Sequence, residues 1–212
     1  MKGWFITLEG PDGAGKSSQA ELLARLLRER GLDVVLTREP GGTKLGELVR
    51  GVLLESAGDA HDALSDALLF NAARRRLTTD VIRPALERGA LVVCDRFADS
   101  TLAYQGYGGG APLDVLRTLA DIATGGLSPD RTVLLDLPVD AGLARRAEGA
   151  PVDLTRFELA AEHGVAFHER VRRGYLELAA AEPNRWRVVD GSADRKVVAA
   201  TIWEAVEDLI AG

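Results

Sequence analysis

Gly10-Pro11-Asp12-Gly13-Ala14-Gly15-Lys16-Ser17 sets a glycine, four residues of any kind, then Gly-Lys-Ser between an apolar run and a helical pattern. Glycines at 10, 13 and 15 allow backbone conformations that a Cβ would block, so successive N–H groups can converge on phosphate oxygens. In such a cradle Lys16 reaches the β and γ phosphates and the Ser17 hydroxyl holds Mg²⁺. The flanks supply the context that the motif needs. Trp4-Phe5-Ile6-Thr7-Leu8 is short, apolar and β-prone; beyond the loop, Leu22, Leu23, Leu26 and Leu27 share one helical face until Gly31 stops it. The alternative is an ordinary tight turn, and a strand before and a helix after argue against it.

The chain has 212 residues, 46% apolar and 27% charged, which suits one well-packed α/β domain over 1–212 better than two. A net charge of −6 argues against a surface built for nucleic acid, which needs several Lys and Arg on one face. The sole cysteine, Cys94, lies in the apolar run Leu91-Val92-Val93-Cys94 and reads as a small buried hydrophobe in a reduced, cytoplasmic setting. The first residues are too short for a signal peptide, and no apolar run approaches the ~20 residues that span a bilayer, so no membrane association is expected.

Apolar, β-branched runs recur at Trp4 to Leu8, Asp33 to Thr37, Leu91 to Cys94, Thr132 to Leu137 and Trp186 to Val189, with helical pattern between them. Continuous rather than alternating apolar strands imply burial on both faces: a parallel sheet wrapped by helices, a three-layer α/β sandwich. Ligands of such sheets gather at the C-terminal ends of the strands. The glycine loop follows the first run, Arg38-Glu39-Pro40-Gly41-Gly42 the second and Asp95-Arg96 the third. Turn chemistry alone accounts for Pro40, Gly41 and Gly42. It does not account for Arg38, whose position suits a phosphate or substrate role.

Between Asp62 and Arg88 runs a long helical pattern, interrupted late by Pro84, in which Phe70 and Arg74 lie one turn apart on one face. An aromatic plane beside a guanidinium suits a nucleobase, the ring stacking and the Arg donating to a carbonyl oxygen. The bland alternative is a core Phe next to a solvated cluster of Arg74, Arg75 and Arg76. Asp95 at a strand end can bind the waters of Mg²⁺, and Arg96 can engage a phosphate bidentately. Ser100, Thr101, Tyr104 and Gln105 follow, offering hydroxyls and an amide to a small ligand, before the glycine-rich stretch Gly106 to Gly110. Farther on, Arg145, Arg146 and Arg156 bracket a break at Gly149-Ala150-Pro151, the arrangement of a lid around 145–158 that closes over phosphates; a solvated basic loop is the alternative. Helical pattern resumes from about Phe157. His163 and His168, without partners at metal-ligand spacing, read as helix-surface residues.

Taken together, the glycine loop, Thr37-Arg38-Glu39-Pro40-Gly41-Gly42, Phe70 with Arg74, Asp95-Arg96 with Ser100-Thr101 and Tyr104-Gln105-Gly106, and Arg156-Phe157-Glu158 resemble bacterial thymidylate kinases over nearly the whole chain. The resemblance implies a P-loop nucleoside monophosphate kinase-like fold, transfer of the γ-phosphoryl of ATP to dTMP, a Mg²⁺ requirement and a homodimer. It implies that Gly10 to Ser17, with Ser18, bind ATP; that Lys16, Ser17 and Asp95 serve ATP and Mg²⁺; and that Arg38 and Arg96 hold the acceptor phosphate. Asp12 would accept from the 3′-hydroxyl, Phe70 would stack on thymine, Arg74 would donate to its carbonyl, Thr101 would face the base edge and Tyr104 would fill the place of a ribose 2′-hydroxyl. Ser100 and Gln105 would complete the substrate pocket. Family members carry a catalytic Arg either in the glycine loop or in the lid. Pro11 to Ala14 offer none, so the duty falls to the lid, with Arg156 leading although Thr155 replaces the usual Asp before it. Another nucleoside monophosphate or deoxynucleoside kinase, or a nucleotide-dependent switch, are the rival functions; the chain lacks an Asn-Lys-x-Asp guanine signature.

Overall fold

Every residue of Phe5–Glu9, strand β1, is buried, as a central strand covered on both faces requires. The computed structural model describes residues 3–55, 62–148 and 164–210. In it β1 joins β2 (Val34–Arg38), β3 (Leu91–Asp95), β4 (Arg131–Asp136) and β5 (Trp186–Asp190) in one parallel sheet of order β2-β3-β1-β4-β5. The strand order turns back at β1, which opens a crevice at its C-terminal end. Four strands run one residue past the apolar pattern, to Glu9, Arg38, Asp95 and Asp190. The backbone ladder continues there although the side chains are charged, and three of these four ends belong to the candidate site.

Alternation along the strands divides the core between two faces. Ile6, Leu8, Val93, Val133 and Leu135 pack with Leu27 of α1 (Lys16–Glu29) and Ile202 and Val206 of α9 (Arg195–Ile210). On the opposite face Phe5 and Val92 meet Phe97, Leu77 and Ile82. There too Leu134 meets Tyr175 and Leu178 of α8 (Gly164–Ala181) and Leu116 of α6 (Leu113–Thr124). The expected three layers are present.

The long helical pattern after Asp62 becomes α3 (Ala63–Leu77), a π-helical turn (Thr78–Ile82) and α4 (Arg83–Glu87), with Asp62 capping the start through the N–H groups of Leu64 and Ser65. Pro84 sits in the first turn of α4, where its missing N–H costs nothing. Helix α2 (Lys44–Glu55) packs on α3. After β3, α5 (Ala98–Thr101) passes directly into a π-helical segment, Leu102–Gly108, so this stretch is a packed wall rather than a loop. Helix α7 (Val139–Glu148) covers the first residues of the expected lid, 145–148; Thr155, Arg156, Phe157 and His163 lie outside the described residues. His168 corrects an expectation. It is buried edge-on against Phe167, because α8 is wedged against the π-helical segment and its inner face is covered.

That wedge is tight. A Cβ on Gly174 would lie 2.5 Å from Tyr107 Cγ and 2.7 Å from Tyr107 Cβ, atoms too close to the backbone to swing aside. Gly174→Ala is therefore expected to cost about 1–3 kcal/mol in thermal or denaturant unfolding, the usual toll of overpacking. Gly51→Ala, where the added Cβ in α2 meets nothing within 4 Å, is expected to be neutral or to stabilise by up to ~1 kcal/mol in the same assay.

Candidate active site

The C-terminal ends of β1, β2 and β3, with α3 and the π-helical wall, enclose a cavity of about 810 Å³. The glycine loop forms its floor. Gly10 has φ 144° and Gly13 φ 78°; a Cβ on Gly10 would lie 2.5 Å from the Leu135 carbonyl oxygen, and one on Gly13 would strike that of Gly142. The loop is thus pressed against β4 and α7 in a form open only to glycine. Asp12, Gly13, Gly15, Lys16, Ser17 and Ser18 line the cavity. Gly10, Pro11 and Ala14 do not, but the Gly10 and Pro11 carbonyls accept hydrogen bonds from Arg96 and Lys16, and Ala14 is buried beneath.

Lys16 Nζ donates to Pro11 O at 2.9 Å. Burial, and then the Arg96 guanidinium, pull its pKa down to about 8, with Asp12, Asp95 and Glu9 opposing; the ammonium is still mostly protonated at pH 7. Ser17 Oγ donates to Asp95 Oδ2 at 2.5 Å, while Asp95 Oδ1 is buried with no hydrogen-bond partner among the described residues. An orphaned carboxylate oxygen beside a helix-start hydroxyl, at the edge of a phosphate cradle, fits a hard cation that takes oxygen ligands. No group of three His, Cys, Asp or Glu among the described residues could hold a metal unaided.

Arg96 is the most heavily constrained side chain. It adopts φ 69°, the left-handed region that costs a non-glycine residue about 1–3 kcal/mol. Its N–H donates to Leu8 O and its carbonyl accepts from the Cys94 thiol, both at 3.0 Å. Nη1 donates to Gly10 O, Ser100 Oγ and Tyr175 Oη, and Nη2 to Asp12 Oδ1 at 2.6 Å and to Tyr104 Oη. Burial pulls its pKa down, but Tyr104, Tyr175, Asp12 and Asp95 outweigh that, so it is firmly charged. Both terminal nitrogens are already engaged; a bidentate phosphate contact must displace some of these partners.

Arg74 does not belong to a solvated cluster. It is 1% exposed, unlike its neighbours Arg75 and Arg76, and lines the cavity with the half-buried ring of Phe70. Nε and Nη2 donate to Glu39 Oε2 at 2.9 and 2.7 Å, Nη2 also to Thr101 Oγ1 and Phe97 O, and Nη1 to Asn71 Oδ1. Burial pushes the Glu39 carboxyl up, against the pull of Arg74. Arg38 stands at the rim, half-exposed, held by Glu47 Oε2 at 3.2 Å, while Glu47 Oε1 accepts from Gly42 N–H. Ser100, Thr101, Tyr104 and Gln105 complete the wall. Of the expected lid cations, Arg145 donates to the carbonyls of Gly191 and Ser192 after β5, and Arg156 lies outside the described residues.

Sequence reasoning missed Glu9, Glu39, Glu47, Arg50 and Tyr175. Arg50 lines the cavity with its Nε buried and without a partner among the described residues. The signal for Glu9 was available: it ends β1 as Asp95 ends β3, where ligands are expected.

Comparison with known proteins agrees with this geometry. A sequence model described as thymidylate kinase matches residues 8–202. A thymidylate kinase of Thermomicrobium roseum is 53% identical over 98% of this chain and 96% of its own length; one of Desulforudis audaxviator is 50% identical over 99% and 93%. The crystal structure of thymidylate kinase from Ehrlichia chaffeensis superposes with a TM-score of 0.78 at 36% identity, covering 98% of this chain and 99% of that one. On fold, site and likeness alike, the chain belongs to the thymidylate kinase family, which phosphorylates dTMP to dTDP with ATP.

Proposed function

We propose that the cavity works as follows, with ATP on the glycine loop and dTMP between Phe70, Arg74 and the π-helical wall. The observation that carries the reading is that one cavity joins the phosphate cradle to a buried guanidinium beside an aromatic ring. Lys16 and the loop N–H groups grip the triphosphate, with Ser18 beside them. Ser17 and Asp95 are the residues that would hold Mg²⁺, which when bound neutralises charge on the transferring phosphates. Phe70 stacks on thymine and Arg74, set by Glu39, donates to its carbonyl; Thr101 and Gln105 border the base. Asp12 takes the 3′-hydroxyl, Tyr104 fills the 2′ position and Ser100 lies beneath. Arg38 and Arg96 hold the acceptor phosphate.

An oxygen of that phosphate forms the new bond to Pγ while the bond from Pγ to the β–γ bridging oxygen breaks, giving dTDP and ADP. Two anions must meet, so alignment and charge neutralisation supply most of the acceleration. Pro11 to Ala14 carry no cation and Arg145 is committed to two carbonyls. This supports an arginine of a lid around 145–158 of a single domain, Arg156 leading and Arg146 the alternative, as the group that meets charge developing in the transition state. The buried Cys94, a free thiol in no disulfide, supports a cytoplasmic setting. For assembly we favour a homodimer. Leu45, Leu48 and Val52 form an exposed stripe on α2, next to exposed Leu64 and Leu68 on α3, an apolar face of the kind that partners cover.

Kinetics, unfolding and sedimentation test these readings. ADP release with Mg-ATP is expected to require dTMP, with dCMP, dGMP and AMP far poorer, and Lys16→Ala is expected to lower turnover at least ~100-fold with the melting temperature unchanged; near-normal turnover would sink the assignment. Arg74→Ala strands the Glu39 carboxylate, so it is expected to cost about 3–5 kcal/mol in unfolding. Arg74→Met with Glu39→Leu removes both charges and is expected to regain much of that stability, while the KM for dTMP rises far more than that for ATP. Leu48→Glu is expected to shift sedimentation from dimer to monomer; an unchanged profile would exclude the α2–α3 face.

A further inference from the structure

Glu9 is fully buried at the end of β1 and plays no part in the reaction as described above. Its Oε1 accepts from Phe97 N–H at 2.7 Å. Its Oε2 accepts from the hydroxyls of Ser100 and Tyr175 at 2.6 and 2.9 Å. Those same two oxygens, 2.9 Å apart, accept from Arg96 Nη1 at 3.1 and 3.0 Å. Each hydroxyl has one proton. While the carboxylate takes both protons, the lone pairs of Ser100 and Tyr175 are turned toward the guanidinium; a neutral side chain, its donor forced to the Oε2 position by the Phe97 N–H, brings a hydrogen of its own that competes with Arg96 for those lone pairs.

We propose that Glu9 is a positioning residue, which through the Ser100 and Tyr175 hydroxyls fixes the guanidinium of Arg96 in the pose that receives the acceptor phosphate. The inference rests on the placement of that phosphate at Arg96. Retaining the charge is not a matter of stability. Burial, and then the nearby Asp99, push the Glu9 carboxyl up to about 7, against Arg96, Ser100 and the Phe97 N–H. A carboxyl whose folded pKa lies above its unfolded value loses stability as pH rises between the two, so the ionised form costs folding free energy at neutral pH. Charged or titratable groups facing it are Arg96, Asp99 and Tyr175, with Lys16 and Cys94 nearby. Tyr175 also ties the pose to α8, the first described element beyond the expected lid.

The test is steady-state kinetics with equilibrium ATP binding. Tyr175→Phe and Glu9→Gln are each expected to lower kcat/KM for dTMP about tenfold or more, with the Kd for ATP within about twofold. The fall of kcat/KM as pH drops through 7 should be shallower in Glu9→Gln. In a Ser100→Ala/Tyr175→Phe background, Glu9→Gln should lower kcat/KM by less than about twofold further, since the relay is already absent. A full, independent loss in that background, or a parallel loss of ATP affinity, overturns the proposal. So do dTMP kinetics within twofold of the unaltered enzyme for Tyr175→Phe, which decides alone if Glu9→Gln does not fold. Arg96→Lys separates the two layers of argument. Unchanged dTMP kinetics there would refute the phosphate site itself, whereas a loss there with none in Tyr175→Phe refutes only the relay.

Discussion

Taking a charge out of water costs several kcal/mol unless a partner replaces the lost hydration, and this protein buries Glu9, Asp12, Lys16, Glu39 and Arg74 along one edge of an apolar sheet. The pairing that this demands organises the site. Asp12 answers Arg96, Glu39 answers Arg74, and Ser100, Tyr175 and Phe97 N–H answer Glu9. Each partner comes from a different element, so the strand ends, α3, α5 and α8 must be in register before any charge is satisfied. The same constraint holds Arg96 in its left-handed backbone conformation, because relaxing φ would break the bonds its guanidinium makes.

The fold was almost wholly legible in the sequence. Parallel strands buried on both faces leave continuous apolar runs, and those runs located all five strands to within a residue or two. They stopped short at Glu9, Arg38, Asp95 and Asp190 because a charged residue reads as the end of a strand, although hydrogen bonding continues. The same habit hid Glu9. Arg74 posed a different difficulty. In a run of three arginines, which one is buried depends on a carboxylate 35 residues away, and local pattern holds no trace of it. Tyr175, 79 residues from Arg96, was hidden for the same reason. His168 looked like surface because the helical period fixes which residues share a face, and only packing decides what covers that face.

The cations of the cavity fall into two classes by how far their donors are already spent. Arg74 is enclosed by Glu39, Asn71, Thr101 and Phe97, and Nη1 has a single partner among the described residues. Its direction is fixed by the protein alone, so the proposed base contact there would rest on rigidity and cost little further entropy. Lys16 instead rests on one backbone carbonyl, and Arg38 is half-exposed on a single carboxylate. These are replaceable partners, which an anion such as the proposed phosphate could displace. Arg96 stands between the two classes, since Asp12 and Tyr104 on Nη2 can yield to an anion while Nη1 stays pinned by Gly10, Ser100 and Tyr175. One nitrogen anchors and the other exchanges. On the proposed placement of the acceptor phosphate, that division lets a single guanidinium hold the loop in shape and still receive an anion, and it accounts for so much of the buried hydrogen bonding converging on one residue.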